Sequence, residues 1–178
     1  LHRTVAAVAG ALLLILTGVL SVESGFSYVD LNTLGVLIGM MLFVAVVKNS
    51  GIFEYIAIKA AKIAKGRPWP LMVLFALITA VLSAFLDNVT TVLLVGPMTI
   101  AITGILGLNP VPFLFTQILA SNIGGTATLI GDPPNIMIGS AAGLSFTDFI
   151  TNTGVAVLFV LAATIVCFYF IYGRKLHV

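Results

Sequence analysis

Apolar runs long enough to cross a bilayer, set apart by short intervals that hold most of the charge, constrain this chain more than any other feature of its sequence. A hydrocarbon core about 30 Å thick takes about 20 apolar residues of helix. Only 8% of the 178 residues are charged, against about 25% in an ordinary soluble domain, so a water-facing surface cannot be assembled from them. With 60% hydrophobic residues and a mean hydropathy of +1.21, the expected class is an all-α integral membrane protein, in which helices pair the backbone groups that hydrocarbon cannot.

The same inventory excludes several functions. Cys167 is the single cysteine, so there is no internal disulfide or thiolate cluster, and it reads as a small hydrophobe within an apolar run. His2 and His177 have no spaced partners for a metal. No P-loop, HExxH or GxSxG string is present, and neither an enzyme nor an organic cofactor is expected. The formal charge of +2 comes without a basic face interleaved with aromatics, so no nucleic-acid partner is expected.

The opening residues have the basic end and apolar core of a removable leader, but the run of about 17 residues lacks a small-x-small cleavage site. It reads as a span over about 4–20. A loop with Glu23 and Asp30 follows, then a second span over about 31–47. The connector that follows holds Lys48, Lys59, Lys62, Lys65 and Arg67, which places it on the cytoplasmic side, with Arg3 inside and the acidic loop outside. Residues 51–65 set Glu54 and three lysines opposite Phe53, Ile56, Ala60 and Ile63, the pattern of an amphipathic helix on the inner surface. Gly66 ends it, and Trp69 between two prolines belongs at headgroup depth.

Residues from about 70 to 106 can be drawn as two full crossings or as two arms of about 13 to 16 residues that dip in and return. FLDNVTT has no Gly or Pro turn, which favours a re-entrant hairpin with Asp87 and Asn88 at its buried tip. Either residue can cap the second arm, with Thr90 and Thr91 adding hydroxyls. A carboxylate at that depth costs at least a few kcal/mol without a cation, proton or protein partner. Residues from about 112 to 142 read as a span broken at SNIGGTATLIGD, with halves of about 9 to 11 residues and hence a break near mid-membrane. Asp132 before Pro133 is a helix start. After an outer loop with Asp148, the last span covers about 149–172 and ends at Arg174 and Lys175. All basic residues then lie inside, as in a multi-pass protein of the cell membrane with a cytoplasmic C-terminus.

The tip residues Asp87, Asn88, Thr90 and Thr91 are expected to face the break, with Ser121, Asn122, Gly124, Gly125, Thr126, Asp132 and Asn135, across a cavity. Amide and hydroxyl oxygens, with carbonyls released at the glycines, suit a small cation, and half-helix N-termini suit an anion. Asn88, Asn122 and Gly125 are the expected ligands of that cation, with the cation or H+ as coupling ion. Asp87 is the expected carrier of the proton or cation. Asp132 is divided between capping and ion handling. Thr99, Thr103, Thr116, Thr151 and Thr164 read as helix-packing hydroxyls, and Glu54 as a surface charge.

FLDNVTTVLLVGP and LASNIGGTATLIGDPPNIMIGSAAGL resemble the first-half signatures of the ion transporter superfamily. That group includes arsenite permeases, NhaD-type sodium/proton antiporters, the melanosomal P protein, and citrate or dicarboxylate carriers. The likeness covers essentially the whole chain and is greatest to the arsenite permease and P-protein branch. It implies two inverted repeats, each with a re-entrant hairpin and an interrupted helix, in a homodimer with an elevator-like motion. It also implies that Asn88 takes the tip position around sodium, and Asn122, Gly124, Gly125 and Thr126 the loop position. The tip reads DNVTT where carboxylate carriers have Ser-Asn-Thr, a departure that argues against citrate.

A whole transporter of this kind is about twice as long or longer, so the chain is expected to be half of one, lacking its second repeat. The expected function is secondary active transport of a small inorganic ion or anion, as in arsenite export or sodium/proton exchange. Expected partners are that ion, the missing half, a second copy and the lipid bilayer. The alternatives are a non-transporting subunit or fragment that needs a partner, a citrate or dicarboxylate carrier, and a channel. Discrete ligands around interrupted helices suit occlusion better than a channel's continuous conduction.

Overall fold

The computed structural model describes residues 2–173, and these form helices with no strand among them. They are α1 (Arg3–Leu16), α2 (Val22–Ser27), α3 (Leu31–Lys48), α4 (Ile52–Ile63), α5 (Pro68–Ser83), α6 (Asn88–Ile105), α7 (Pro110–Gly125), α8 (Pro133–Ala142) and α9 (Phe146–Gly173). The chain is an all-α membrane protein. Helices α3, α6 and α9 are long and apolar enough to cross a bilayer, and the outward face is crowded with large apolar side chains such as Leu16, Leu93 and Phe159, the reverse of a soluble surface. Arg174, Lys175 and His177, and with them the C-terminal flank read as cytoplasmic, lie outside the described residues.

Helix starts follow local chemistry. Asp30 Oδ1 accepts from the amides of Asn32 and Thr33 at 2.9 and 3.3 Å, and Oδ2 accepts from the Thr33 hydroxyl at 2.7 Å. Asn109 takes the Val111 amide at 3.0 Å ahead of α7. Prolines open α5, α7 and α8, where a missing N–H leaves nothing unpaired. Two expected boundaries move. Helix α1 stops at Leu16 and not near residue 20, because the Thr17 hydroxyl turns back onto the Leu13 carbonyl at 2.7 Å and Gly18 takes φ +73°, a conformation that ends a helix. The second hairpin arm, α6, has 18 residues and contains Pro97, so it exceeds the expected half-helix length.

The core is a three-helix unit. The most extensive contact is between α5 and α7, followed by α6 and α7. Helices α5 and α7 run in the same direction, since Leu71 and Phe75 pack with Phe113 near their starts while Ser83 reaches Ser121 near their ends. Helix α4 seats Ala57, Ala60 and Ala64 beneath this pair, small residues that allow close approach. Of the apolar side that the sequence assigns to α4, Phe53 and Ala60 are buried within the protein while Ile63 is 61% exposed; the stripe packed against the other helices follows Phe53, Ala57, Ala60 and Ala64 at helical spacing.

Between α6 and α7, Thr99 and Gln117 are fully buried and bonded to each other, Gln117 Nε2 donating to Thr99 Oγ1 at 2.9 Å. Side-chain bonds of this kind in membrane bundles contribute about 0.6 kcal/mol and up to about 1.7. Gln117→Leu in the full-length protein is expected to lower stability within that range, and a double-mutant cycle with Thr99→Val, read by thermal melts in detergent, checks the coupling.

At the other end of the unit, α3 begins beside α8. The Thr33 hydroxyl, and after it that of Ser140, hold the Asp30 carboxyl below the usual carboxylate range, aided by the amides of Thr33 and Asn32 and opposed by partial desolvation. A carboxyl lowered in the folded state stabilises fully above its unfolded value, and that contribution disappears as pH falls through the lower folded value. Hydrogen exchange at Asn32 and Thr33, corrected for intrinsic rates, is therefore expected to quicken below about pH 4. Asp30→Asn, which keeps a cap without the titration, removes that pH step.

Candidate functional site

The α5–α6 turn is short, and its geometry is set by Leu86, buried against Val44, Phe53 and Leu94. Asp87 is the cap of α6, with Oδ1 accepting from the Thr90 amide at 2.9 Å and its carbonyl from Thr91 at 3.0 Å. Because Asp87 fills that role, Asn88 is released to reach across to α7, where its Nδ2 donates to Asn122 Oδ1 at 2.9 Å. Asn122 Nδ2 in turn donates to the Ile118 carbonyl at 2.8 Å. Asn88 Oδ1 and the second lone pair of Asn122 Oδ1 then remain as acceptors. Thr91 is completely buried, and its Oγ1 has no hydrogen-bond partner among the described residues.

The discontinuity lies later than the sequence suggests. Helix α7 runs through Ser121, Asn122, Gly124 and Gly125 and covers 16 residues, while α8 covers 10, so the expected near-equal halves are corrected. The glycines serve close approach. A Cβ on Gly124 would fall 2.6 Å from both the carbonyl carbon and the Cα of Ala80 on α5. The carbonyls of Asn122 and Gly124 accept from Thr126 and Ala127 at 3.3 and 3.0 Å, so the helix closes on itself without releasing them.

The break proper runs over residues 126–132. Thr128 Oγ1 donates to the Ala84 carbonyl and accepts from Gly131 N at 3.2 Å. Asn135 Nδ2 donates to the carbonyls of Gly125 and Thr128 at 3.2 and 2.9 Å, which folds the loop against the start of α8. A Cβ on Gly131 would meet the Ser83 carbonyl oxygen at 2.8 Å and the Gly125 oxygen closer still, and one on Gly125 would meet Asp132 Oδ2 at 3.2 Å. The Ser83 and Gly125 carbonyls thus crowd Gly131, and the Asp132 carboxylate crowds Gly125.

Asp132 departs from its expected role as a side-chain cap. Its carboxylate makes no capping bond, and its backbone carbonyl takes the Asn135 amide at 3.0 Å. Pro133 and Pro134 occupy the first two helical positions, so two of the four amides left unpaired at a helix start do not exist here. The freed carboxylate lies beside Gly125.

The structure therefore joins Asn88 to Asn122 directly, and gathers Gly125, Asp132 and Asn135 at the break, with Asp87 nearby. Ser121 turns inward, its hydroxyl on the Ile118 carbonyl. Thr126 is exposed and turns the other way, onto a groove of about 690 Å³ that it shares with Asn122, Asn135, Asn152 and Thr153. Asn152 and Thr153 come from α9 and escape sequence reasoning. A π-helical turn over Ile150–Gly154 widens the helix there and lets Thr153 approach the Ala127 carbonyl at 3.4 Å. The available signal was an Asn between two threonines, followed by Gly154, at the start of an otherwise apolar span.

A family model described as "Citrate transporter" matches residues 1–178. The chain is 50% identical over 137 residues to an uncharacterized transporter of Mycobacterium tuberculosis, covering 77% of this chain and 32% of that protein. It is 44% identical over 168 residues to an uncharacterized transporter of Mycobacterium bovis, covering 92% and 39%. It is 40% identical over 190 residues to the human P protein, covering 99% and 22%. The chain thus spans about a third of the length of the curated bacterial transporters it matches.

Proposed function

Since the chain belongs to the citrate transporter family, we propose that it forms one repeat of a secondary active transporter whose substrate is a small inorganic ion or neutral hydroxide, sodium/proton exchange and arsenite export being the leading cases. The observation that carries this reading is a site of carboxylates and amides with no opposing cation. Asn88 bonds to Asn122 beside the Asp87 cap, Asp132 lies at the break that follows, and no Lys, Arg or His occurs between residues 68 and 173. A tricarboxylate entering this half would meet two carboxylates and no positive side chain, a repulsion worth several kcal/mol at low dielectric. A sodium ion or a proton would instead neutralise them, and arsenite, uncharged at neutral pH, would exchange hydrogen bonds with the amides.

Asp87 takes the proton or cation, and Asn88 and Asn122 supply oxygen ligands beside it. The re-entrant reading of α5 and α6 draws support from α8. Its 10 residues carry the chain roughly 15 Å beyond the hairpin tip, to the outer end of α3 where Ser140 meets Asp30. On that basis the tip sits near mid-membrane, with basic α4 on the cytoplasmic face. Asn122, Thr126 and Asn152 are exposed on the flank of this unit, where lipid offers no hydrogen bonds. An inverted second repeat, with a homodimer around it, completes the site.

The test is flux through the full-length protein in proteoliposomes under imposed sodium and pH gradients. Sodium-dependent proton movement or saturable arsenite transport is expected, with citrate transport at background. Saturable citrate uptake without either activity overturns the reading.

A further inference from the structure

We propose that the groove between α4 and α6 is a binding site for an anionic phospholipid, with the phosphate at Lys62 and Lys65 and an acyl chain along Ile58, Ile102, Ile105 and Leu106. The groove encloses about 370 Å³. Its walls are aliphatic, with Ile105 85% exposed, while both lysines are exposed at its edge. An apolar trough that ends in two ammonium groups matches the amphipathic division of a phospholipid and of few other molecules.

Three further observations favour this occupant. First, the positive charge is not neutralised locally. The sequence has no Asp or Glu between residues 55 and 86 or between 88 and 131, so α5, α6 and α7 are without acid. Glu54 lies at the far end of α4, roughly 12 Å from Lys62 at 1.5 Å per residue. Second, the backbone fixes the edge of the trough. Lys65 adopts φ +52° and Gly66 φ +70°, a left-handed pair that turns the chain back sharply beside Leu106, where Gly66 lines the same groove. Third, the depth is right. Trp69 packs edge-on against Tyr169 with ring centroids 5.2 Å apart at this end of the bundle, and such rings settle at the headgroup level. The lysines then meet phosphates while the isoleucines meet chains.

Native mass spectrometry of the full-length protein in neutral detergent, titrated with phosphatidylglycerol and phosphatidylcholine, tests the site. A retained phosphatidylglycerol adduct is expected, preferred over phosphatidylcholine. Each lysine near a headgroup contributes about 1 kcal/mol, so the double variant Lys62→Gln/Lys65→Gln should weaken it roughly 25-fold. Lys48→Gln/Lys59→Gln removes equal charge elsewhere and should change binding less than about twofold. Ile105→Trp should weaken lipid binding by filling the trough while leaving both lysines in place.

Equal loss in both double variants would reduce the effect to diffuse attraction and overturn the site. Competition by soluble glycerol phosphate at the lipid's own concentration would make it a phosphate site without a chain. Lipid adducts on the monomer that vanish on a dimer would assign the groove to a second copy. Thermal melts of each variant establish that any loss is not unfolding.

Discussion

Asp87→Asn in the full-length protein is expected to reduce ion-coupled flux roughly 10- to 150-fold while leaving folding nearly unchanged. The separation of the two effects comes from the observed cap and the proposed ion-carrying role meeting in one side chain. As a cap it needs only one oxygen, which accepts from the Thr90 amide at 2.9 Å, and Asn caps about as well as Asp. The remaining structural loss is the favourable placement of a negative charge at a helix start, about 0.3–1 kcal/mol. What Asn cannot supply is the charge. A charge-assisted contact is worth about 1.5–3 kcal/mol, which converts to the stated factor. Asp87→Ala provides the contrast, since it removes cap and charge together and should lower the melting temperature as well. The measurement is proteoliposome flux at fixed protein incorporation. Unchanged coupling in the Asn variant would remove Asp87 from the transport chemistry and leave it a helix cap.

Gly124→Ala is expected to destabilise the protein by about 1–3 kcal/mol or more, and Gly124→Val to abolish recovery of folded protein. The added Cβ of Ala would sit 2.6 Å from two backbone atoms of Ala80, and backbone in the middle of a helix cannot rotate away as a long side chain can. Helices α5 and α7 would have to separate along their whole contact, an overpacking penalty of the size stated. Gly104 is the control. It is helical and exposed, with nothing within 4 Å of an added methyl, and Ala there should gain about 0.5–1 kcal/mol of helix propensity. The same chemical change should therefore have opposite signs at two glycines, which thermal melts of the purified variants can read directly.

The pair of outcomes at Gly124 and Gly104 also marks where sequence reasoning reaches and where it stops. The start of α6 was legible because its signal is local, Asp87 capping within three residues of itself. Asp30 and Asn109 cap by the same local chemistry, although in the sequence alone they read as part of a loop and a turn. The apolar side of α4 was legible in outline, but which part of it packs on the other helices was not, because no neighbour was at hand to separate Phe53 and Ala60, which are buried, from Ile63, which is exposed.

Glycine carries two meanings, a bend or a close approach, and only the position of Ala80 decides that Gly124 has the second. Asp132 before proline was a start signal in the right place with the wrong atom, since the backbone carbonyl does what the side chain was assigned to do. Asn152 was missed for a different reason. It enters the groove beside a π-helical turn, and a helical wheel drawn at ordinary periodicity does not follow that widening.

The hydrogen bonds that link α5, α6, α7 and the break gather at the hairpin tip, with one more deeper between α6 and α7. Ser83 ties to Ser121, Asn88 to Asn122, Gln117 to Thr99, and Thr128 to the Ala84 carbonyl. Such pegs resist both twisting and sliding, so these three helices form one stiff block. Helix α3 rests on that block through greasy side chains, Val44 against Leu86 and Leu94, a seam with far less to hold it than the joints inside the block.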